Sequence, residues 1–151
     1  MSEEATLDLA DDGVKVLFRP QEGPQRALIN CVCNEIFFGG ARGGGKTFGV
    51  LLDWSIWSDR YGAAYKGILF RKTYDELDEV IQMAKKILLP LGAEWKQQAR
   101  TMIMPNGAPL KFRFLNRDDD ADRYQGHQYA FIVIEEATNW ATPNAINKLR
   151  A

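Results

Sequence analysis

An α/β fold with a buried, parallel-type sheet is what this sequence predicts, and three observations predict it. Residues 40–47 read Gly40-Ala41-Arg42-Gly43-Gly44-Gly45-Lys46-Thr47, a complete G-x-x-x-x-G-K-[ST] octamer. The octamer sits between an apolar run, Ile36-Phe37-Phe38, that predicts a buried strand and a segment, Phe48-Gly49-Val50-Leu51-Leu52, that opens a helical pattern. Further on, Tyr129-Ala130-Phe131-Ile132-Val133-Ile134 is an apolar strand that ends in Glu135-Glu136. At an average glycine usage of about 7%, the octamer arises by chance in roughly one chain in two hundred of this length.

The chemistry explains the residue types. Glycines let the backbone turn back so that successive N–H groups face one concavity, and the following helix adds the positive end of its dipole. Such a site holds phosphates. A Gly-rich turn alone accounts for residues 43–45 but not for Lys46-Thr47 immediately after them. Lys46 is expected to reach the β- and γ-phosphates and the Thr47 hydroxyl to ligate Mg²⁺. Gly40, Gly43, Gly44 and Gly45 form the cradle, and Arg42 within it is a candidate for charge developing on the γ-phosphate. At the end of the later strand, Glu135 is expected in the Mg²⁺ shell and Glu136 as the acid that orients or deprotonates water. The predicted fold is therefore a P-loop NTPase, of the ASCE/RecA-like type, with a core sheet, flanking helices and an inserted β-hairpin.

Composition narrows the function. The chain has 151 residues, enough for one domain, and Lys+Arg 19 against Asp+Glu 20 leaves it near neutrality. That disfavours a broad basic surface for non-specific nucleic-acid binding. The opening Met1-Ser2-Glu3-Glu4 lacks an apolar core, and no apolar stretch is long enough for a membrane span, so a soluble protein of the cytoplasm is expected. Cys31-x-Cys33 and the single His127 do not make a zinc site, and two buried thiols beside the first strand are expected. Asp118-Asp119-Asp120 with Asp122 reads as a solvated turn rather than a nuclease metal site. Leu51, Trp54 and Trp57 share helical spacing and read as core or interface.

Along the chain, residues 1–19 form a lead-in in which Val14, Val16 and Phe18 alternate as a short strand. Residues 20–24 are a loop, 25–30 begin a helix, and 35–38 form the first core strand. The helix after the phosphate loop runs to about residue 57, and residues 67–70 are a second buried strand. Over 73–89, Leu77, Ile81, Ala84 and Leu88 fall on one helical face, Thr73 with Glu76 marks its start, and Pro90-Leu91-Gly92 stops it. Residues 101–115 predict a hairpin around Asn106-Gly107, with Leu110, Phe112 and Phe114 inward.

At these residues the chain resembles the ATPase domain of the phage large terminase subunit, from about residue 18 to 140. The resemblance rests on Phe18-Arg19-Pro20 with Gly23-Pro24-Gln25, on the loop itself, and on Phe70-Arg71-Lys72-Thr73-Tyr74-Asp75-Glu76-Leu77. It continues through Met104-Pro105-Asn106-Gly107, Arg123-Tyr124-Gln125-Gly126 and Glu135-Glu136-Ala137-Thr138. It implies an ATP- and Mg²⁺-dependent motor that drives double-stranded DNA into a capsid, working as a ring with a small terminase subunit and a portal protein. It also implies that Gln25 contacts adenine, with Gln21 close enough to compete, and it gives Arg42 its γ-phosphate role. Glu135 stands where the family usually has Asp. The resemblance further implies a sheet in which a later strand separates the phosphate-loop strand from the acid-bearing strand. On that expectation residues 20–151 are the N-terminal part of the ATPase domain, incomplete at the C-terminal end, with two strand edges unpaired. A helicase- or recombinase-like ATPase shares the loop, the glutamine and the acids, and a catalytically silent nucleotide-binding fragment is the reading from another class. A nucleotide kinase fits less well, because Glu136 suits water activation.

Overall fold

The structure is a computed structural model that describes residues 15–40, 43 and 45–150. Its helices are α1 (Pro24–Ile29), α2 (Lys46–Tyr61), α3 (Tyr74–Leu88) and α4 (Asn144–Arg150), and its strands β1 (Gly67–Arg71), β2 (Glu94–Lys96), β3 (Thr101–Ile103), β4 (Pro109–Phe114) and β5 (Phe131–Ile134). The five strands form one mixed sheet in the order β2-β3-β4-β1-β5. β1 lies parallel to both β4 and β5, with Leu69 opposite Phe112 and Phe70 opposite Ile134, while β2, β3 and β4 run antiparallel.

Strand alternation splits the apolar side chains between two cores. Leu69, Leu110 and Phe112 face α2 and α3, where Leu51, Trp54, Leu77, Val80 and Leu88 are buried against them. Ile68 and Phe70 face the other way, onto Leu115, Ala121, Trp140 and Ala145. α3 starts as its sequence dictates. Thr73 Oγ1 accepts from the Glu76 N–H and Glu76 Oε2 accepts from the Thr73 N–H, each at 3.4 Å. The hairpin turns at Asn106-Gly107, where the Gly107 N–H donates to Met104 O at 2.8 Å with φ at 88°.

Several expectations need correction. Residues 35–38 are not a strand: Phe37 is 85% exposed and Val32, upstream of them, 93%. The physical reason is pairing. A strand needs a neighbour about 4.8 Å away, and a cavity stands between this segment and β5, whose edge among the described residues pairs only with β1. Phe114 ends β4 and is 42% exposed, meeting Tyr74 edge-on rather than the core. Cys33 is exposed and Cys31 half-buried, because the segment carrying them is unpaired. Of the predicted strand near residue 16, Val14 lies outside the described residues, and Lys15 makes an isolated bridge while 16–20 are irregular. The three-residue β2 was missed, since Glu94-Trp95-Lys96 is too short for alternation to signal it.

Gly67, the first residue of β1, is fixed by close approach. A Cβ there would lie 2.5 Å from Trp54 Nε1 and 2.8 Å from Leu110 Cδ1. Both neighbours are fully buried, and they have no room to retreat. Gly67→Ala is expected to destabilise the fold by about 1–3 kcal/mol, read as a lower denaturation midpoint at unchanged m-value.

Candidate functional site

A cavity of about 880 Å³ lies between residues 31–40 and β5, with the start of α2 beside it. Gly40, Lys46 and Thr47 line it from one side, and Glu135, Glu136 and Thr138 from the other. The two halves of the sequence pattern, nearly ninety residues apart in the chain, therefore open onto one space.

The helix side is held by glycine geometry and one amide. Gly45 caps α2 in the left-handed region, φ 69° and ψ 24°, where only glycine is free of strain. Its carbonyl accepts from the Gly49 N–H at 2.9 Å and from Gln25 Nε2 at 2.8 Å. The same side chain's Oε1 accepts from the Gln21 N–H at 2.8 Å, and Gln25 is only 2% exposed. One end of that amide thus ties α1 to the start of α2, and the other ties it to the loop before α1. Lys46 Nζ donates to Gly40 O at 2.9 Å, closing the loop across its own width. Arg42 and Gly44 lie outside the described residues, and Gly43 is an exposed turn residue with φ 76°.

The acid side is set by β5. The Glu135 N–H donates to Phe70 O at 3.0 Å, which continues the β1–β5 ladder one residue beyond the strand. Its carboxylate is buried, and Oε2 accepts from Arg71 Nε at 2.8 Å. Glu136 is exposed and left-handed, φ 53° and ψ 47°. A non-glycine residue held there costs about 1–3 kcal/mol, and such strain concentrates at functional sites. Lys72 Nζ donates to Asn139 O at 2.6 Å and anchors the turn that follows.

With this geometry in place, one comparison is decisive. The family described as terminase large subunit, T4likevirus-type, N-terminal matches residues 37–151. The chain belongs to that family. No curated protein and no solved structure matches it. Membership in the terminase large-subunit family implies a role in phage DNA packaging, with DNA and other parts of the packaging motor as partners. Among the described residues no helix is long and apolar enough to cross a membrane.

In this terminase chain the cavity is lined by Gly40, Lys46, Thr47, Glu135 and Glu136 of the residues that the sequence singled out, and by Asp53, which it did not. Sequence reasoning did not assign Asp53 to the site, nor Arg71, which reaches it through Glu135. The signal for Arg71 was present: it follows an apolar strand at the same offset at which Glu135 follows its own. The acidic run at Asp118 is engaged internally, with Asp118 accepting from Thr142 and Asn144, and Asp119 and Asp122 pairing with Lys148. Among the described residues no cluster of three or more His, Cys, Asp or Glu could hold a metal. Thr47 and Glu135 nevertheless put a hydroxyl and a carboxylate on the cavity walls, oxygen donors of the type Mg²⁺ accepts beside phosphates.

Asp53, in α2, borders the same cavity as a buried acid. Burial pushes its pKa from 3.8 up to about 6, and the hydrogen bond from Trp57 Nε1 at 3.2 Å offsets only part of that. The folded state therefore keeps this proton up to about pH 6, whereas the unfolded chain releases it near 3.8. Stability contributed by this group thus falls as pH rises through that window. Asp53→Asn keeps an acceptor for Trp57 and is expected to raise the melting temperature at pH 7.5, with the gain vanishing by pH 4.

Proposed function

We propose that this terminase chain binds Mg·ATP in the cavity and supports hydrolysis of the terminal phosphoanhydride, the reaction that would power DNA movement in a packaging motor. The observation that carries this reading is that Lys46-Thr47, at the start of α2, and Glu135-Glu136, at the end of β5, line one cavity. A P-loop NTPase core supplies that combination by design: cation and helix dipole on one wall, acids on the other. Lys46 neutralises β- and γ-phosphate charge, with Arg42 as its second cation. Thr47 and Glu135 would hold Mg²⁺, which when bound neutralises charge on the phosphate oxygens. Glu136, exposed on its strained turn, orients the attacking water and accepts its proton.

For Gln25 we propose a different task from the adenine contact that the resemblance implies. Its amide is committed to Gly45 O and the Gln21 N–H, so it acts as the latch of the loop, while the exposed Gln21 is the better placed to meet a base. A catalytically silent nucleotide-binding role is the second reading. What favours it is the cavity wall at residues 35–38, which lacks strand pairing.

Titration calorimetry with Mg·ATP, paired with phosphate release, tests the assignment. Lys46→Ala is expected to lose most of the affinity. Glu136→Gln is expected to bind normally while turnover falls about a hundredfold or more. Binding without turnover in the unaltered chain favours the silent reading, and binding indifferent to Lys46→Ala sinks both. Gln25→Leu is expected to lower stability by about 1–2 kcal/mol and to weaken ATP and GTP alike. A loss confined to ATP would return Gln25 to the adenine.

A further inference from the structure

Arg71 and Glu135 form an ion pair between adjacent strand ends, sixty-four residues apart in sequence. Their side chains are 14% and 9% exposed, and the Nε–Oε2 distance is 2.8 Å. The register explains why they meet. Phe70 stands opposite Ile134 in the parallel β1–β5 pair, so the next residue of each strand emerges on the same side of the sheet. We infer that Arg71 is a positioning residue that fixes the Glu135 carboxylate for Mg²⁺, and that glutamate occupies position 135 because its length reaches Arg71. This rests on the Mg·ATP reading above and deepens it.

The argument is geometric. Glutamate has one more rotatable bond than aspartate, and an unrestrained carboxylate at the cavity wall would spread over several rotamers. The bond from Arg71 holds Oε2 and leaves Oε1 for the metal's coordination shell. Shortening the side chain by one methylene draws the carboxylate back by about 1.5 Å, which takes it out of hydrogen-bond range of a guanidinium whose strand is fixed on both sides. The Arg71 backbone cannot follow: its carbonyl accepts from the Leu115 N–H at 2.9 Å, and β1 is paired with β4 and β5. An outer partner of this kind orients a metal-binding carboxylate without touching the metal.

The test separates the metal-dependent part of binding from the rest. ATP affinity is measured by calorimetry in EDTA and then across a Mg²⁺ titration, for the unaltered chain, Arg71→Gln, Glu135→Asp, Glu135→Gln and Arg71→Gln/Glu135→Gln. Circular dichroism confirms the fold of each, and Glu135→Asp retains both charges should Arg71→Gln prove unstable. Affinity in EDTA is expected to stay within about twofold, while Arg71→Gln and Glu135→Asp each raise the Mg²⁺ midpoint about tenfold or more. In the Glu135→Gln background, Arg71→Gln is expected to add nothing. A midpoint unmoved in a folded variant, or moved equally with and without the Glu135 carboxylate, overturns the positioning role alone. Failure of the unaltered chain to bind ATP at all overturns the nucleotide reading and this inference with it.

Discussion

The parallel pairing of β1 with β5 is the constraint on which the rest of the site depends. It sets the register that brings Arg71 beside Glu135, and the Glu135 N–H extends it by one further bond to Phe70 O. It also delivers Glu136 to the point where the strand must turn sharply, which is why that residue is left-handed. β1 in turn can lie where it does only because Gly67 leaves room for the buried Trp54 indole. A packing requirement at one end of a strand thus determines the geometry of acids at the other.

The two walls of the cavity are stabilised by different means. On the acid side, a buried ion pair and the β1–β5 backbone ladder in a packed sheet hold Glu135, and the Lys72 bond to Asn139 O closes the turn. On the loop side, residues 31–40 have no strand partner among the described residues. The contacts that hold this side are those of Gln25 with Gly45, the Lys46 bond to Gly40 O and the exposed two-point ion pair of Arg150 with Glu35. Hydrogen bonds of that kind contribute about 1 kcal/mol each, and the Arg150–Glu35 pair is exposed, so this wall is held by exposed and isolated contacts rather than by a packed sheet.

Legibility in the sequence follows the range of the interactions involved. α3 was readable because its signals are local: a capping box at Thr73 and Glu76 and an apolar stripe from Leu77 to Leu88. The hairpin was readable from Asn106-Gly107, and the gathering of Lys46, Thr47, Glu135 and Glu136 from motif spacing, because each motif encodes its own backbone path. What failed was non-local. Ile36-Phe37-Phe38 has the composition of a buried strand, but strand formation requires a neighbouring edge, and composition does not say where that edge is. The same limit applies to the pairing of Arg71 with Glu135, whose offsets after their strands are legible but whose contact depends on the β1–β5 register, and to Asp53, whose raised pKa depends on what covers α2.

The position of charge in the site follows from these differences in order. Glu135 is buried and neutralised by Arg71, whereas Glu136 is exposed and carries backbone strain. On the proposed Mg·ATP reading, a carboxylate in the metal's shell benefits from being fixed, and the guanidinium beside Glu135 limits the desolvation penalty of burying it. On the same reading, a carboxylate that accepts a proton benefits instead from access to water, and Glu136 is exposed. Adjacent residues of the same type thus acquire opposite environments. The strand's last ladder bond fixes one, and the left-handed turn releases the other into the cavity.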